Sequence, residues 1–318
     1  MKVFISGNIA ESGLSLLAEN NIEIKQWKES RQITKQELIE ACSDVDGLVS
    51  VGPNKIDTDF LKACKHLKVI ALHSVGYDNV DVEAAKELNI PIGNTPGVLS
   101  KATADTAFLL MLAVSRKAFF LHKKIIAGKW QNYEPTPELG IELFGKTLGI
   151  FGLGKIGEEM AKRCIGAYGM KVIYHNRSRN EDAEKELGAS YVSFDELLAE
   201  SDVLSVHTAL THETKGKFNI DVFRKMKAES IFINTARGGI HNEQDLIKAL
   251  DEKLIWGAGL DVTNPEPMQK DNPLLNMENV AVLPHIGSAT QETRNEMANL
   301  VAKNVIAALT GKALPHQV

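Results

Sequence analysis

The stretch Leu148-Gly149-Ile150-Phe151-Gly152-Leu153-Gly154-Lys155-Ile156-Gly157 decides how this chain folds. From Gly152 onward it fits G-x-G-x-x-G. An apolar run, Leu148–Phe151, precedes the glycines. A helical pattern from Glu158 to about Ala167 follows them, and then a second strand-like run, Lys171–His175. Strand, turn, helix and strand in that order turn a weak pattern into a dinucleotide-binding fingerprint. The first glycine permits the tight turn. The second lets a pyrophosphate approach the backbone, and the third lets helix and strand pack closely. Exposed N–H groups and the helix dipole attract the phosphates. Gly152, Leu153, Gly154, Lys155, Ile156 and Gly157 are therefore candidate cofactor-binding residues. The plainer alternative is an ordinary glycine-rich turn.

Working outward, strand-like runs continue at Ser190–Ser193, Val203–His207, Ile231–Thr235, Gly257–Val262 and Val280–Pro284. Upstream they fall at Val3–Ser6, Ile22–Trp27, Leu48–Val51, Val69–His73 and Ile90–Gly93. Amphipathic stretches such as Ser12–Glu19 and Lys35–Cys42 separate them. One long helix is expected over Leu99–Lys124 and another over Gln291–Leu309. Residues Gly128 to Gly145, with Pro135, Pro137 and Gly140, read as irregular. Continuous apolar strands alternating with helices predict parallel sheets covered on both faces. The fold class is thus α/β, with two doubly wound parallel-sheet domains. The 318 residues agree with two domains of roughly 100–200 residues each.

Composition narrows the function. Hydrophobic residues make up 44%, close to the globular average of about 45–50%, which argues against a disordered chain. A net charge of -5 without basic clusters speaks against a nucleic-acid partner. The longest membrane-like run, Ala107–Val114, falls well short of the ~20 residues a bilayer needs. Val3–Ile5 is too brief for a secretion signal. Cys42, Cys64 and Cys164 form neither a disulfide framework nor a zinc signature. A cytoplasmic protein with no membrane partner and no metal is expected.

The end of the second strand selects the cofactor. An Asp or Glu about 20 residues past the glycines would bind the ribose 2′-hydroxyl of NAD. Here the chain reads His175-Asn176-Arg177-Ser178-Arg179, with no acid before Glu181. Guanidinium and hydroxyl groups suit a 2′-phosphate, which a carboxylate would repel. NADP(H) is favoured, with Asn176, Arg177 and Ser178 as candidate contacts. The alternative is that the arginines are solvated loop charges and NAD(H) binds.

Three segments at strand ends carry unusual polar residues: Asn234-Thr235-Ala236-Arg237-Gly238-Gly239, Asp261-Val262-Thr263-Asn264-Pro265-Glu266-Pro267 and Pro284-His285-Ile286-Gly287-Ser288. Ligands of open α/β sheets bind beyond the carboxyl ends of the strands. Arg237 can hold a carboxylate or polarise a carbonyl oxygen. His285 can give and take a proton near neutral pH, and Glu266 would fix its tautomer and favour its protonated ring. With a nicotinamide nearby, these are the parts for reducing a 2-oxo acid. Taken singly, Arg237 reads equally as a surface ion-pair partner, Glu266 as a solvated loop acid and His285 as a structural hydrogen-bonder.

Together these segments resemble the D-isomer-specific 2-hydroxyacid dehydrogenase family over nearly the whole chain. Ser74-Val75-Gly76-Tyr77-Asp78, Ala104-Asp105, Gly152–Gly157, His207 to Thr214, Asn234–Gly239, Asp261–Pro267 and Pro284–Thr290 occur in the family's order. Gly259–Pro267, Asn272-Pro273-Leu274-Leu275 and Leu283–Thr290 look most like the glyoxylate/hydroxypyruvate reductases. The resemblance implies NAD(P)H-dependent reduction of small 2-oxo acids to 2-hydroxy acids. Arg237 would orient the substrate, and Glu266 would partner His285 as acid/base. Backbone N–H groups at Val75 and Gly76 would hold the substrate carboxylate. Thr103, Thr208, Ala236 and Asp261 match cofactor-lining positions. The implied topology is a flavodoxin-like substrate domain, residues 1–98 and 289–318, interrupted by a Rossmann coenzyme domain, residues 99–288. The arm from Trp130 to Leu143 looks like the family's homodimer contact; a surface loop is the alternative. The chain departs from the family at Ala209, at Asp105 and at His241-Asn242, where Val-Asp is common; His241 reads as a solvated group. Rival functions are another reductase of the family, such as a D-lactate or broad 2-oxo acid enzyme, and a dinucleotide sensor on the same scaffold.

Overall fold

A computed structural model describes residues 1–318. The chain forms two compact units, Met1–Leu99 with Ser288–Val318, and Ser100–Gly287. The first is built on five parallel strands: β1 (Lys2–Ile5), β2 (Glu23–Gln26), β3 (Gly47–Ser50), β4 (Val69–Leu72) and β5 (Ile92–Gly93). Their order is β2-β1-β3-β4-β5, with Val3 beside Gly47 and Gly47 beside Val69. Successive side chains of a strand point to opposite faces. Phe4, Leu48 and Ile70 accordingly pack on one side with Phe60 and Leu61. Val3, Ile5, Val49 and Val69 pack on the other with Leu17, Val301 and Val305. Burial on both faces is why these strands read as continuous apolar runs. The helix Gln291–Leu309 covers the second face, and Thr290 caps it by accepting a hydrogen bond from the Thr293 N–H at 3.2 Å.

The second unit carries seven parallel strands: β6 (Thr147–Phe151), β7 (Lys171–His175), β8 (Ser190–Tyr191), β9 (Val203–Val206), β10 (Ile231–Asn234), β11 (Gly257–Leu260) and β12 (Val280–Val282). Their order is β12-β11-β10-β9-β6-β7-β8. Direction of winding reverses between β6 and β9, and such a switch point opens a crevice beyond the strand carboxyl ends. Leu148, Ile150, Ile231 and Ile233 face one core with the helices Ser100–Ser115 and Lys155–Tyr168. Phe232, Leu204 and Leu260 face the other with Phe218 and Phe223. Both sheets are doubly wound and parallel, as the strand–helix alternation predicts.

One expected element is divided. The apolar spacing over Leu99–Lys124 predicts a single helix, but the chain forms two, Ser100–Ser115 and Ala118–Ile126, hinged at Lys117 with φ 53°. The causes are tertiary. The Ile141 N–H donates to the Ser115 carbonyl at 2.9 Å, which caps the first helix. The Lys117 ammonium is drawn to Glu278 at 3.1 Å and sits over the Trp256 ring. No helix is long and apolar enough to cross a membrane.

Candidate active site

The glycine turn leaves β6 and enters the helix Lys155–Tyr168. Gly152 has φ +101°, and its N–H donates to the His175 carbonyl at 3.1 Å. A Cβ there would lie 2.8–2.9 Å from backbone atoms of His207 and Thr208. Only glycine fits, because the loop leaving β9 lies on this turn. Gly154 is different: no side chain caps the helix it opens, and a Cβ there would meet nothing within 4 Å. That open, uncapped helix start is what a pyrophosphate needs. Lys155 is exposed, while Leu153 and Gly157 are buried beneath.

Asn176 braces the turn from the end of β7. Its Oδ1 accepts from the Leu153 N–H at 2.7 Å, and its Nδ2 donates to the Leu153 carbonyl at 3.2 Å. Arg177 and Ser178 are exposed beside it. Arg179 is committed elsewhere. Its guanidinium grips Glu184 through bonds of 3.0 and 2.6 Å. That grip, helped by the Tyr174 hydroxyl, holds the Glu184 carboxyl down at about 2.

Arg237, Glu266 and His285 stand just beyond the carboxyl ends of β10, β11 and β12. The loops that carry them are locked together. A Cβ on Gly238 would lie 2.0 Å from the Thr263 carbonyl oxygen, so the first two loops touch backbone to backbone. His285 Nδ1 donates to Glu266 Oε1 at 2.5 Å. The Thr263 N–H donates to Glu266 Oε2 at 3.3 Å. Burial pushes the Glu266 carboxyl up, but the bond from His285, with the charges of His285 and Arg237, outweighs it. The group is held below the usual glutamate range. Arg237 is half-buried, with one guanidinium N–H on the Ala236 carbonyl at 2.8 Å. A carboxylate on Nδ1 fixes the proton there and leaves Nε2 of His285 for another partner.

Asp261 is 1% exposed. Its two carboxylate oxygens accept from the Ile286 and Gly287 N–H groups, each at 2.8 Å, while the His285 N–H donates to its carbonyl at 2.9 Å. Burial pushes its carboxyl up, and the two backbone bonds oppose only part of that. The residue therefore clamps the turn that presents His285. Thr103, buried in the helix Ser100–Ser115, lies beside Gly287. Thr208 and Ala236 are half-buried on the loops after β9 and β10.

In the first unit, the turn after β4 presents Val75 and Gly76. The Ser74 hydroxyl donates to the Gly76 carbonyl at 2.8 Å, and Asn94 Nδ2 donates to the Val75 carbonyl at 2.9 Å. Both carbonyls are engaged, and neither N–H donates within the chain, so the two N–H groups are left for a ligand.

His241 is not solvated. It is 2% exposed, against the Phe232 ring, and burial pushes its imidazole down to about 4. An ionisable side chain with no assigned role reads as solvated, but the pairing of Phe218 with His241 draws it inward. Sequence reasoning also gave no role to Asn234 or Glu243. Asn234 is fully buried, and its Nδ2 donates to the Arg237 carbonyl at 2.9 Å. Glu243 is 8% exposed; it accepts from the Asn264 N–H at 3.3 Å and from Asn272 Nδ2 at 2.7 Å, which ties down the Glu266 loop. The only sequence signal for Glu243 was the Asn242 helix cap beside it.

Known proteins share this architecture. Residues 108–287 match the model of the D-isomer specific 2-hydroxyacid dehydrogenase NAD binding domain. A glyoxylate reductase of Thermococcus litoralis is 45% identical over all of this chain and 96% of its own length. The crystal structure of a glyoxylate reductase from Paecilomyes thermophila superposes with TM-score 0.88 at 36% identity, covering 100% of this chain and 98% of the other. An NADPH-dependent glyoxylate/hydroxypyruvate reductase of Sinorhizobium meliloti, solved with NADP and malonate, gives TM-score 0.86 at 32% identity, with 100% and 96% covered. The chain belongs to the D-isomer specific 2-hydroxyacid dehydrogenase family.

Proposed function

We propose that this chain reduces glyoxylate and hydroxypyruvate to the corresponding 2-hydroxy acids, with NADP(H) preferred to NAD(H). The observation that carries the reading is the 2.5 Å bond between His285 and Glu266 beyond the strand ends, with the charge of Arg237 reaching the same carboxylate. The names of the relatives support it. The uncapped helix start at Gly154 fits a dinucleotide pyrophosphate. The bound nicotinamide would supply the hydride that reaches the carbonyl carbon. Nε2 of His285 gives the carbonyl oxygen its proton, and the resulting neutral ring stays hydrogen-bonded to Glu266 through Nδ1. Arg237 polarises that oxygen and orients the acid. The N–H groups of Val75 and Gly76 receive the carboxylate. Thr103, Thr208, Ala236 and Asp261 line the cofactor. Asp261 keeps spare lone pairs for a carboxamide N–H, although its first task is the turn behind His285.

Arg177 and Ser178, exposed where a ribose-binding acid would otherwise stand, support the NADP preference. We assign substrate binding to residues 1–98 and 289–318, and dinucleotide binding to 99–288. A cytoplasmic homodimer is part of the proposal. Ile126, Tyr133 and Leu139 lie 64–85% exposed on and after the helix Ala118–Ile126, and a second copy of the chain would cover them. All three cysteines are free and buried.

An initial-rate panel tests the function: small 2-oxo acids, each with NADPH and NADH, on the native chain and on His285→Ala. Turnover of glyoxylate and hydroxypyruvate, cut roughly 100-fold or more in the variant, is expected from loss of a general acid. Tight dinucleotide binding with no turnover of any 2-oxo acid would instead mark a sensor.

A further inference from the structure

We propose that His241 is a positioning residue for Arg237, acting through the amide of Asn234. The inference rests on the reading of Arg237 as the cation that orients the 2-oxo acid. Asn234 ends β10, and its side chain is spent entirely on the loop that follows. Oδ1 accepts from the Ala236 N–H at 3.0 Å, one N–H of Nδ2 donates to the Arg237 carbonyl at 2.9 Å, and Nδ2 lies 3.0 Å from His241 Nδ1. Asn234 is 0% exposed, so water cannot replace any of these partners. An amide nitrogen can only donate, so Nδ1 of His241 must accept. The ring is therefore neutral, with its proton on Nε2, which meets no acceptor.

The geometry follows from these roles. The amide grips the peptide before Ala236 and the peptide after Arg237, and the Arg237 side chain starts from the Cα at the head of the second. If position 241 offered no acceptor, the second N–H of Asn234 would be buried without a partner. A buried donor left without a partner is destabilising, and the amide can relieve it by rotating away from Arg237. His241 holds the amide in the one orientation that serves both backbone groups. Its own backbone is anchored from outside the loop by the Asn242 N–H, which donates to the Phe218 carbonyl at 2.9 Å. Within the loop the His241 N–H donates to the Gly238 carbonyl at 3.3 Å and the Ile240 N–H to the Arg237 carbonyl at 3.2 Å, so the acceptor and the Arg237 backbone belong to one turn.

Three substitutions separate the acceptor from mere bulk. His241→Asn places its amide oxygen near the position of Nδ1, His241→Gln places one near Nε2, and His241→Leu offers no acceptor. The intact enzyme and each variant are measured for KM and kcat with glyoxylate, KM for NADPH, and Tm. The expected result is a glyoxylate KM raised at least fivefold in the Leu and Gln variants, NADPH KM within twofold, and the Asn variant close to native. Equal impairment of all three variants, or native glyoxylate KM in the Leu and Gln variants, overturns the proposal. If the Leu variant does not fold, the Asn–Gln contrast alone decides. Arg237→Lys is run beside them. If it leaves glyoxylate KM unchanged, the role of Arg237 itself is wrong; if it raises KM while Leu and Gln at 241 do not, only the role of His241 is.

Discussion

Two glycines of the turn should fail in opposite ways when each is replaced by alanine. At Gly152, φ is +101° and the new methyl would sit 2.8–2.9 Å from the backbone of His207 and Thr208. Left-handed backbone costs an alanine roughly 1–2 kcal/mol. Forcing a methyl against fixed backbone adds about 1–3 kcal/mol. The sum, about 2–5 kcal/mol, corresponds to a fall in Tm of roughly 4–20 °C at about 2–4 °C per kcal/mol for a unit of this size. At Gly154, φ is -107°, which alanine adopts freely, and its methyl would meet nothing. Gly154→Ala should therefore change stability by no more than about 1 kcal/mol, the scale of an N-cap preference. It should instead block the phosphates. Losing one or two charge-assisted bonds of about 1.5–3 kcal/mol each would raise the dinucleotide Kd at least tenfold. Differential scanning calorimetry and fluorescence titration of NADPH read the two effects separately. If Gly154→Ala binds NADPH like the native chain, the pyrophosphate does not approach there and the turn is only a turn.

Other outcomes can be checked the same way. Arg177→Ala should weaken NADPH by about 10–100-fold, the scale of a lost charge-assisted bond, and leave NADH nearly unchanged; Arg179→Ala should do less because Glu184 already holds that guanidinium. Equal losses for both cofactors would remove the phosphate argument. Asp261→Asn puts an amide N–H against one of the two backbone N–H groups it now accepts from, so Tm and kcat should both fall, stability by about 1–3 kcal/mol; an unaltered kcat would mean that the turn behind His285 needs no clamp. The lowered pKa of Glu266 fixes a sign: its contribution to stability is complete above the ordinary value of 4.5 and is lost as pH falls through the lower native value. In urea titrations below pH 4.5, Glu266→Gln should therefore lose stability with acid less steeply than the native chain, and parallel curves would contradict the pairing.

Much of the fold was legible because its signals are local. Every strand read from an apolar run has its counterpart within a few residues, and Lys171–His175 and Gln291–Leu309 match at both ends. The break at Lys117 was not legible. Nothing near it in sequence stops a helix, and its causes lie on Ile141, Trp256 and Glu278. The site divides in the same manner. Arg237, Glu266 and His285 could be proposed from residue type and position at strand ends. That Asp261 spends both oxygens on the turn of His285, that Arg179 belongs to Glu184, and that His241 is buried against Asn234 could not.

The sequence alone determined which segments are strands, which glycine-rich turn opens a helix, and which residue types stand ready at the strand ends. Periodicity, glycine placement and chemical kind act over a few neighbouring residues, so they are written into the chain. Tertiary structure alone decided which of those polar groups face one another and which are used up in holding a loop. A hydrogen bond depends on distances of tenths of an ångström between segments far apart in the chain, and those distances exist only once both sheets have packed their cores.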